Sequence, residues 1–312
     1  MGSFLVWLCG CYGGLTLTSS SELAPEESDA SWPVSVWRDA VIQGMGHGVS
    51  FLDDGAALVG MGGAICEVDP HTGAVGGDWM LPGLTWAAGV DGGQGLAVSE
   101  ARIRVVSPGG DPDALEGPRA AGDWRGAAWV DGALVTLGEH AAGCEVSWWA
   151  RPEAQPLLPE ARTAVPRRFC RESVALVADP SSWTVWLAVD DELREVTPEG
   201  DHPLETPATL LAHDGAQLYT VAEGSDEVLR WRGGGPETAA ILSGPITALD
   251  VTATLLAAVI AGPTLVVASP ADGQVLSQVD LQRGDVDTLT VRTDGDLIGL
   301  ALGDQIRFYG VR

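Results

Sequence analysis

The 312-residue chain is 46% apolar, ample for a core, and carries a formal charge of −26 at pH 7. So acidic a surface repels phosphate, which excludes unaided binding to DNA, RNA or an anionic lipid surface. The chain has neither Lys nor Asn, so every basic residue is Arg and N-glycosylation is excluded.

At the start of the chain Phe4 to Cys9 form an apolar run too short to span a bilayer. The following Leu8-Cys9-Gly10-Cys11 resembles the lipobox of bacterial lipoproteins. That resemblance implies that residues 1–11 are a signal segment, that Cys11 is acylated, and that the protein is lipid-anchored in a bacterial cell envelope. Ordinary secretion and an unprocessed intracellular start are the alternatives. Residues 12–31 are rich in Ser, Glu, Pro and Gly, with little to bury, and are expected to be a flexible tether.

From residue 32 to 312 the pattern is short apolar or alternating runs split by Gly, Asp and Pro, an all-β signature. An apolar strand ending in a turn recurs at Pro70, Pro108, Pro152, Pro198, Gly233, Pro270 and Val311, in steps of 38, 44, 46, 35, 37 and 41 residues. Before each lies a hairpin signal. It is Asp-Gly at Asp54, Asp91, Asp131, Asp214 and Asp294, and it is replaced by Asp179-Pro180-Ser181-Ser182 and Thr252-Ala253-Thr254. Asp-Gly suits a type I′ turn, in which both central residues need positive φ. Seven units near forty residues predict a seven-bladed β-propeller of four-stranded blades. Residues 34–42 precede the first hairpin without a blade of their own, so they are expected to close the last blade and remove its bare edge.

Val68-Asp69-Pro70-His71-Thr72-Gly73-Ala74-Val75 with Trp79, and more weakly Ser269-Pro270-Ala271-Asp272-Gly273-Gln274-Val275, resemble the repeat of quinoprotein-like and YVTN-like bacterial propellers, a WD40-like architecture. The family motif is a structural turn, so the resemblance implies a fold and no bound quinone.

In a propeller the loops joining second to third strands and those joining successive blades share one face. Here they carry His47, Trp86, Trp124, Arg125, Glu139, His140, Arg171, Asp190 and Asp287, the candidate binding face. No HExxH, GxSxG, P-loop, EF-hand loop or CxxC is present, and no catalytic residue, metal ligand or cofactor is predicted. His71 and His213 fall near turns of the opposite face and read as solvated. Arg151, Arg162, Arg167, Arg168 and Arg171 make an Arg-rich stretch that either pairs internally with carboxylates or receives an acidic partner. Cys144 and Cys170 fall on one face of adjacent blades, where a disulfide can form in an oxidising compartment; three separate buried thiols, counting Cys66, are the alternative.

The expectation is a monomeric, non-enzymatic scaffold for an unknown protein, peptide or small molecule, touching the membrane only through its lipid anchor. The alternative is a propeller enzyme, lactonase-like or quinoprotein-like, with a metal or cofactor in the central funnel.

Overall fold

The computed structural model describes residues 16–18, 27–29, 31–43, 46–52, 55–61, 64–80, 84–90, 94–99, 102–106, 113–115, 124–130, 133–140, 143–149, 159–172, 174–179, 181–232, 235–282 and 286–312. They form a β-propeller with six antiparallel four-stranded blades, where the repeat spacing predicts seven. Blade one is Gly46–Phe51, Ala57–Met61, Ala64–Val68 and Val75–Met80; blade two is Leu84–Val90, Gln94–Ser99, Arg102–Val106 and Asp113–Leu115. Blade three is Trp124–Val130, Ala133–His140, Gly143–Trp149 and Ala161–Val165; blade four is Ala175–Ala178, Val185–Val189, Glu192–Thr197 and Gly200–Leu204. Blade five is Leu210–His213, Leu218–Val221, Glu227–Arg232 and Gly235–Ile241; blade six is Ile246–Val251, Leu256–Ile260, Thr264–Ala268 and Val275–Asp280. The remaining sheet has five strands and holds both ends of the chain, in the order Thr16–Thr18, Val36–Gln43, Gln305–Val311, Leu297–Leu302, Thr288–Val291.

Each first strand touches the first strand of the next sheet, and Thr288–Val291 of the terminal sheet touches Gly46–Phe51 of blade one. First strands therefore form the inner wall. Apolar clusters fill the space between neighbouring sheets. One joins Leu137, Val146 and Trp148 of blade three to Val185, Leu187 and Val196 of blade four. Another joins Ile42, Ile306 and Phe308 of the terminal sheet to Val49, Val59 and Val68 of blade one. Burial of each Val, Leu or Ile contributes about 1.5–3 kcal/mol, so stability is spread around these seams rather than held in one centre.

The strand Val36–Gln43 pairs with Gln305–Val311 from Val36 opposite Val311 to Gln43 opposite Gln305. It buries Val36, Ala40, Val41 and Ile42. Trp37 lies over Gly310, where an added Cβ would fall 2.4 Å from the indole, and the Arg312 guanidinium sits 5.3 Å from the Trp37 ring. Two observations differ from the expected tether. Thr16–Thr18 pairs with Val41 to Gln43, and Glu27 bridges to Trp37. Backbone groups at an open strand edge gain by pairing even where side chains have nothing to bury.

At Asp214-Gly215 and Asp294-Gly295 the turn joins the first two strands of a sheet but is not type I′; Asp54, Asp91 and Asp131 lie outside the described residues. Positive φ among described non-glycine residues is confined to Asp190, Asp191 and Gln282, whereas Gly55, Gly215 and Gly295 have φ of 89°, 90° and 78°. The aspartate stays in the ordinary region because its side chain caps the turn. Asp214 Oδ1 accepts the N–H groups of Ala216 and Gln217 at 2.8 and 2.7 Å. Asp190-Asp191 instead, with φ of 47° and 60°, makes the two-residue left-handed turn between Val189 and its partner Glu192.

The two motif copies share one geometry. Gly73 N–H donates to the Asp69 carbonyl and Gly273 N–H to the Ser269 carbonyl, at 2.7 and 2.9 Å, with φ of 71° at both glycines. At Gly273 a Cβ would also lie 2.3 Å from the Ala239 carbonyl oxygen of blade five, so only glycine fits.

Polar clamps cross the seams as well. Arg230 holds Glu237 in its own blade and donates to the Pro270 carbonyl of blade six at 2.9 Å. Arg307 donates to the Leu281 carbonyl at 2.7 Å. Asp250 of blade six accepts the Val291 N–H of the terminal sheet at 2.6 Å.

Candidate functional site

Loops between second and third strands and loops between blades do share a face. Asp191, in the former class in blade four, accepts the Glu223 N–H of the equivalent loop in blade five at 2.9 Å. Ile246, entering blade six, donates to the Ser225 carbonyl at 2.8 Å. On this face the chain enters each blade along its innermost strand, and a register shift recurs there. It falls between Gly46 and Gly48, Leu84 and Trp86, Trp124 and Gly126, and Ile246 and Ala248. His47, Thr85, Arg125 and Thr247 are thus the extra residues of equivalent bulges at the inner rim. A bulged residue leaves the ladder and is re-aimed, a common device beside functional sites.

Of the predicted face, His47 and Arg125 therefore occupy equivalent bulges, and Arg125 is exposed. Trp86 follows one bulge and Trp124 precedes another; the side chains of His47, Trp86, Trp124 and His140 lie outside what is described. Asp287 is exposed where the chain enters the terminal sheet, its N–H donating to the Ala301 carbonyl at 2.8 Å. Glu139 is half-buried and paired across the strands with Cys144. Cys11 and Arg151 lie outside the described residues.

Farther out on the face, a short 3₁₀ turn, Arg167–Cys170, carries the chain from blade three to blade four. Phe169 and Cys170 are buried in the seam, and Cys170 is joined to Cys144 in a disulfide with a Cα–Cα distance of 5.7 Å. Cys66 is a free, buried thiol. The guanidinium carbons of Arg168 and Arg194 lie 5.8 Å from the Phe169 ring. Arg168 pairs with Glu192, and Arg194 pairs with Glu192 at 2.6 Å and with Asp201. Arg162 faces Glu145 at 3.9 Å. Two of the four described arginines of the stretch, Arg162 and Arg168, are thus paired internally, while Arg167 and Arg171 stay exposed with no ion pair among the described residues. Beside them Glu172 hydrogen-bonds Asp190, and that like-charged neighbour raises the Glu172 pKa.

Neither histidine of the opposite face is simply solvated. His71 Nδ1 is 3.0 Å from Asp39, whose other oxygen accepts the Trp37 indole N–H at 2.5 Å, tying the N-terminal strand to blade one. His213 stacks on Trp186 at 5.3 Å and accepts the Gly215 N–H, and burial lowers its pKa.

Sequence reasoning missed a cleft on that opposite face. Its volume is about 510 Å³, between blades three and four, and its walls include Glu160, Trp183, Thr184, Pro198 and Glu199. Trp183 reads from sequence as a strand core residue. It is half-buried, packing on the seam while leaving part of its ring in the cleft. Among the described residues, no group of three or more His, Cys, Asp or Glu is placed to hold a metal ion, and no helix is long and apolar enough to cross a membrane.

The fold defines the chain as a β-propeller. Compared with protein-family models and with curated proteins it matches none, so its function is argued from the chemistry of its faces.

Proposed function

We propose that this protein is a non-enzymatic binding propeller of a bacterial cell envelope, lipid-anchored through Cys11, with the loop face toward its partner. In this reading the five-stranded sheet is the seventh blade of a closed ring. The cyclic contact of the first strands, from blade one round to Thr288–Val291 and back, supports that count. The Cys144–Cys170 disulfide supports export, because such bonds persist in oxidising compartments. Replacing Cys11 by Ser should move the protein from the membrane fraction to the soluble one; continued membrane partition would contradict the anchor.

The observation that carries the binding reading is the repeated bulge at His47, Thr85, Arg125 and Thr247. A bulged residue leaves the regular ladder and is re-aimed, and Arg125, at one of these bulges, is exposed. The rim offers both signs of charge at Arg125 and Asp287, which suits a protein or peptide surface of mixed charge. A photo-crosslinking residue at position 125 is expected to trap one discrete partner in intact cells, and the same residue at the exposed Asp272, on the opposite face, is expected to trap none. Equal trapping at both positions, or none at position 125, would refute the assignment of the face.

A further inference from the structure

The cleft between blades three and four lies away from the loop face and is built from separate pieces of chain. Glu160 opens the last strand of blade three, Trp183 and Thr184 end the first hairpin of blade four, and Glu199 sits in its last turn with Pro198. The floor is fixed across the seam by the Thr163 hydroxyl, which donates to the Thr197 carbonyl at 2.6 Å. At about 510 Å³ it is in the size range of small-ligand pockets.

Its polar groups are unspent. Glu160 and Glu199 are exposed, and neither carboxylate has an ion pair or hydrogen bond among the described residues. The Trp183 indole N–H likewise has no acceptor there. Arg162, two residues along from Glu160, faces Glu145 at 3.9 Å. An indole and two carboxylates lining one cleft, in a chain of net charge −26, complement a cation, above all a planar guanidinium that can stack and pair at once. The free indole N–H and the Thr184 hydroxyl add donors, which a peptide carbonyl can meet and a bare ion cannot. A neutral sugar would leave both carboxylates uncompensated.

We propose that this cleft is a binding site for an arginine side chain presented by a basic peptide segment of a partner, with Trp183 as the stacking platform and Glu160 and Glu199 as the counter-charges. The site is independent of the loop face.

The test is titration calorimetry of the full chain with acetyl-Ala-Arg-Ala-Arg-Ala-amide, at about 0.15 M salt so that diffuse attraction is screened. W183A and E160Q/E199Q are each expected to weaken binding about tenfold, a loss of about 1.4 kcal/mol. E205Q/D226N removes the same charge elsewhere and should change affinity less than about twofold. If W183A does not fold, E160Q/E199Q decides alone. The proposal is overturned if the peptide does not bind, if the cleft and control variants lose affinity equally, if a citrulline-substituted peptide binds as well, or if maltotriose binds the cleft in the peptide's place. None of these outcomes bears on crosslinking at position 125.

Discussion

Removing the Cys144–Cys170 bridge, by reduction or as C144A/C170A, should cost about 3.5 kcal/mol of folding stability and lower the melting temperature by roughly 6 °C. The two cysteines are 26 residues apart, and the bridge closes around the Arg-rich stretch, so in the chain-entropy model the open loop is what the unfolded state regains. The effect should be local before it is global. Phe169 and Cys170 are the buried anchors of the segment between blades three and four, and both belong to the cluster that holds Trp148 and Leu187. Without the bridge, that segment rests on Phe169, the Arg168–Glu192 pair and its flanking strands. Urea unfolding of oxidised and reduced protein measures the difference; a change below about 1 kcal/mol would show that the segment is held by packing alone.

Between pH 4.5 and 7.5 the protein should lose about 2 kcal/mol more stability than its D250N variant. Asp250 lies on the innermost strand of blade six, and its carboxyl accepts N–H groups from Val291 and Val251 at 2.6 and 2.9 Å. Burial nevertheless outweighs those bonds and pushes its pKa from 3.8 up to about 6. Asp250 is half-buried by area on an innermost strand, and desolvation still governs the charged form. The folded state therefore holds the proton more tightly than the unfolded chain. Stability from this group is full below the unfolded pKa and is lost as pH rises to the folded one, about 3 kcal/mol in all. Asn stays neutral and keeps one acceptor for Val291, so D250N should have the flatter profile. General carboxylate repulsion is common to both proteins and cancels in the difference. Parallel profiles in chemical denaturation at the two pH values would sink this account of Asp250.

The two predictions rest on features that differ in how plainly the sequence displays them. The disulfide was legible because repeat spacing alone places Cys144 at the start of a third strand and Cys170 in the next connection. Strand ends were legible at Pro70, Pro198 and Pro270 because proline stops a ladder by simple chemistry, a missing N–H and a fixed φ. The Asp190-Asp191 turn was not, since two aspartates lack the glycine that normally marks positive φ. Thr16–Thr18 was hidden because a three-residue polar strand leaves no hydrophobic pattern. The bulges at His47 and Arg125 depend on register between strands, which a period cannot reveal; the residues were singled out only as loop positions. Trp183, Glu160 and Glu199 come from three separate turns in two blades, and their meeting is a property of the ring rather than of any local segment.

The proposed closed ring, joined through its N-terminal strand, is the frame on which both proposed sites depend, and native-state hydrogen exchange of two segments tests it most directly. Val36–Gln43 and Gln305–Val311 are paired along their length. Their amides should exchange together, with the slow rates of the most protected blades, because one strand cannot open without exposing the other. Exchange of Val36–Gln43 at the rate of an unstructured tail, beside a protected Gln305–Val311, would contradict the closed ring.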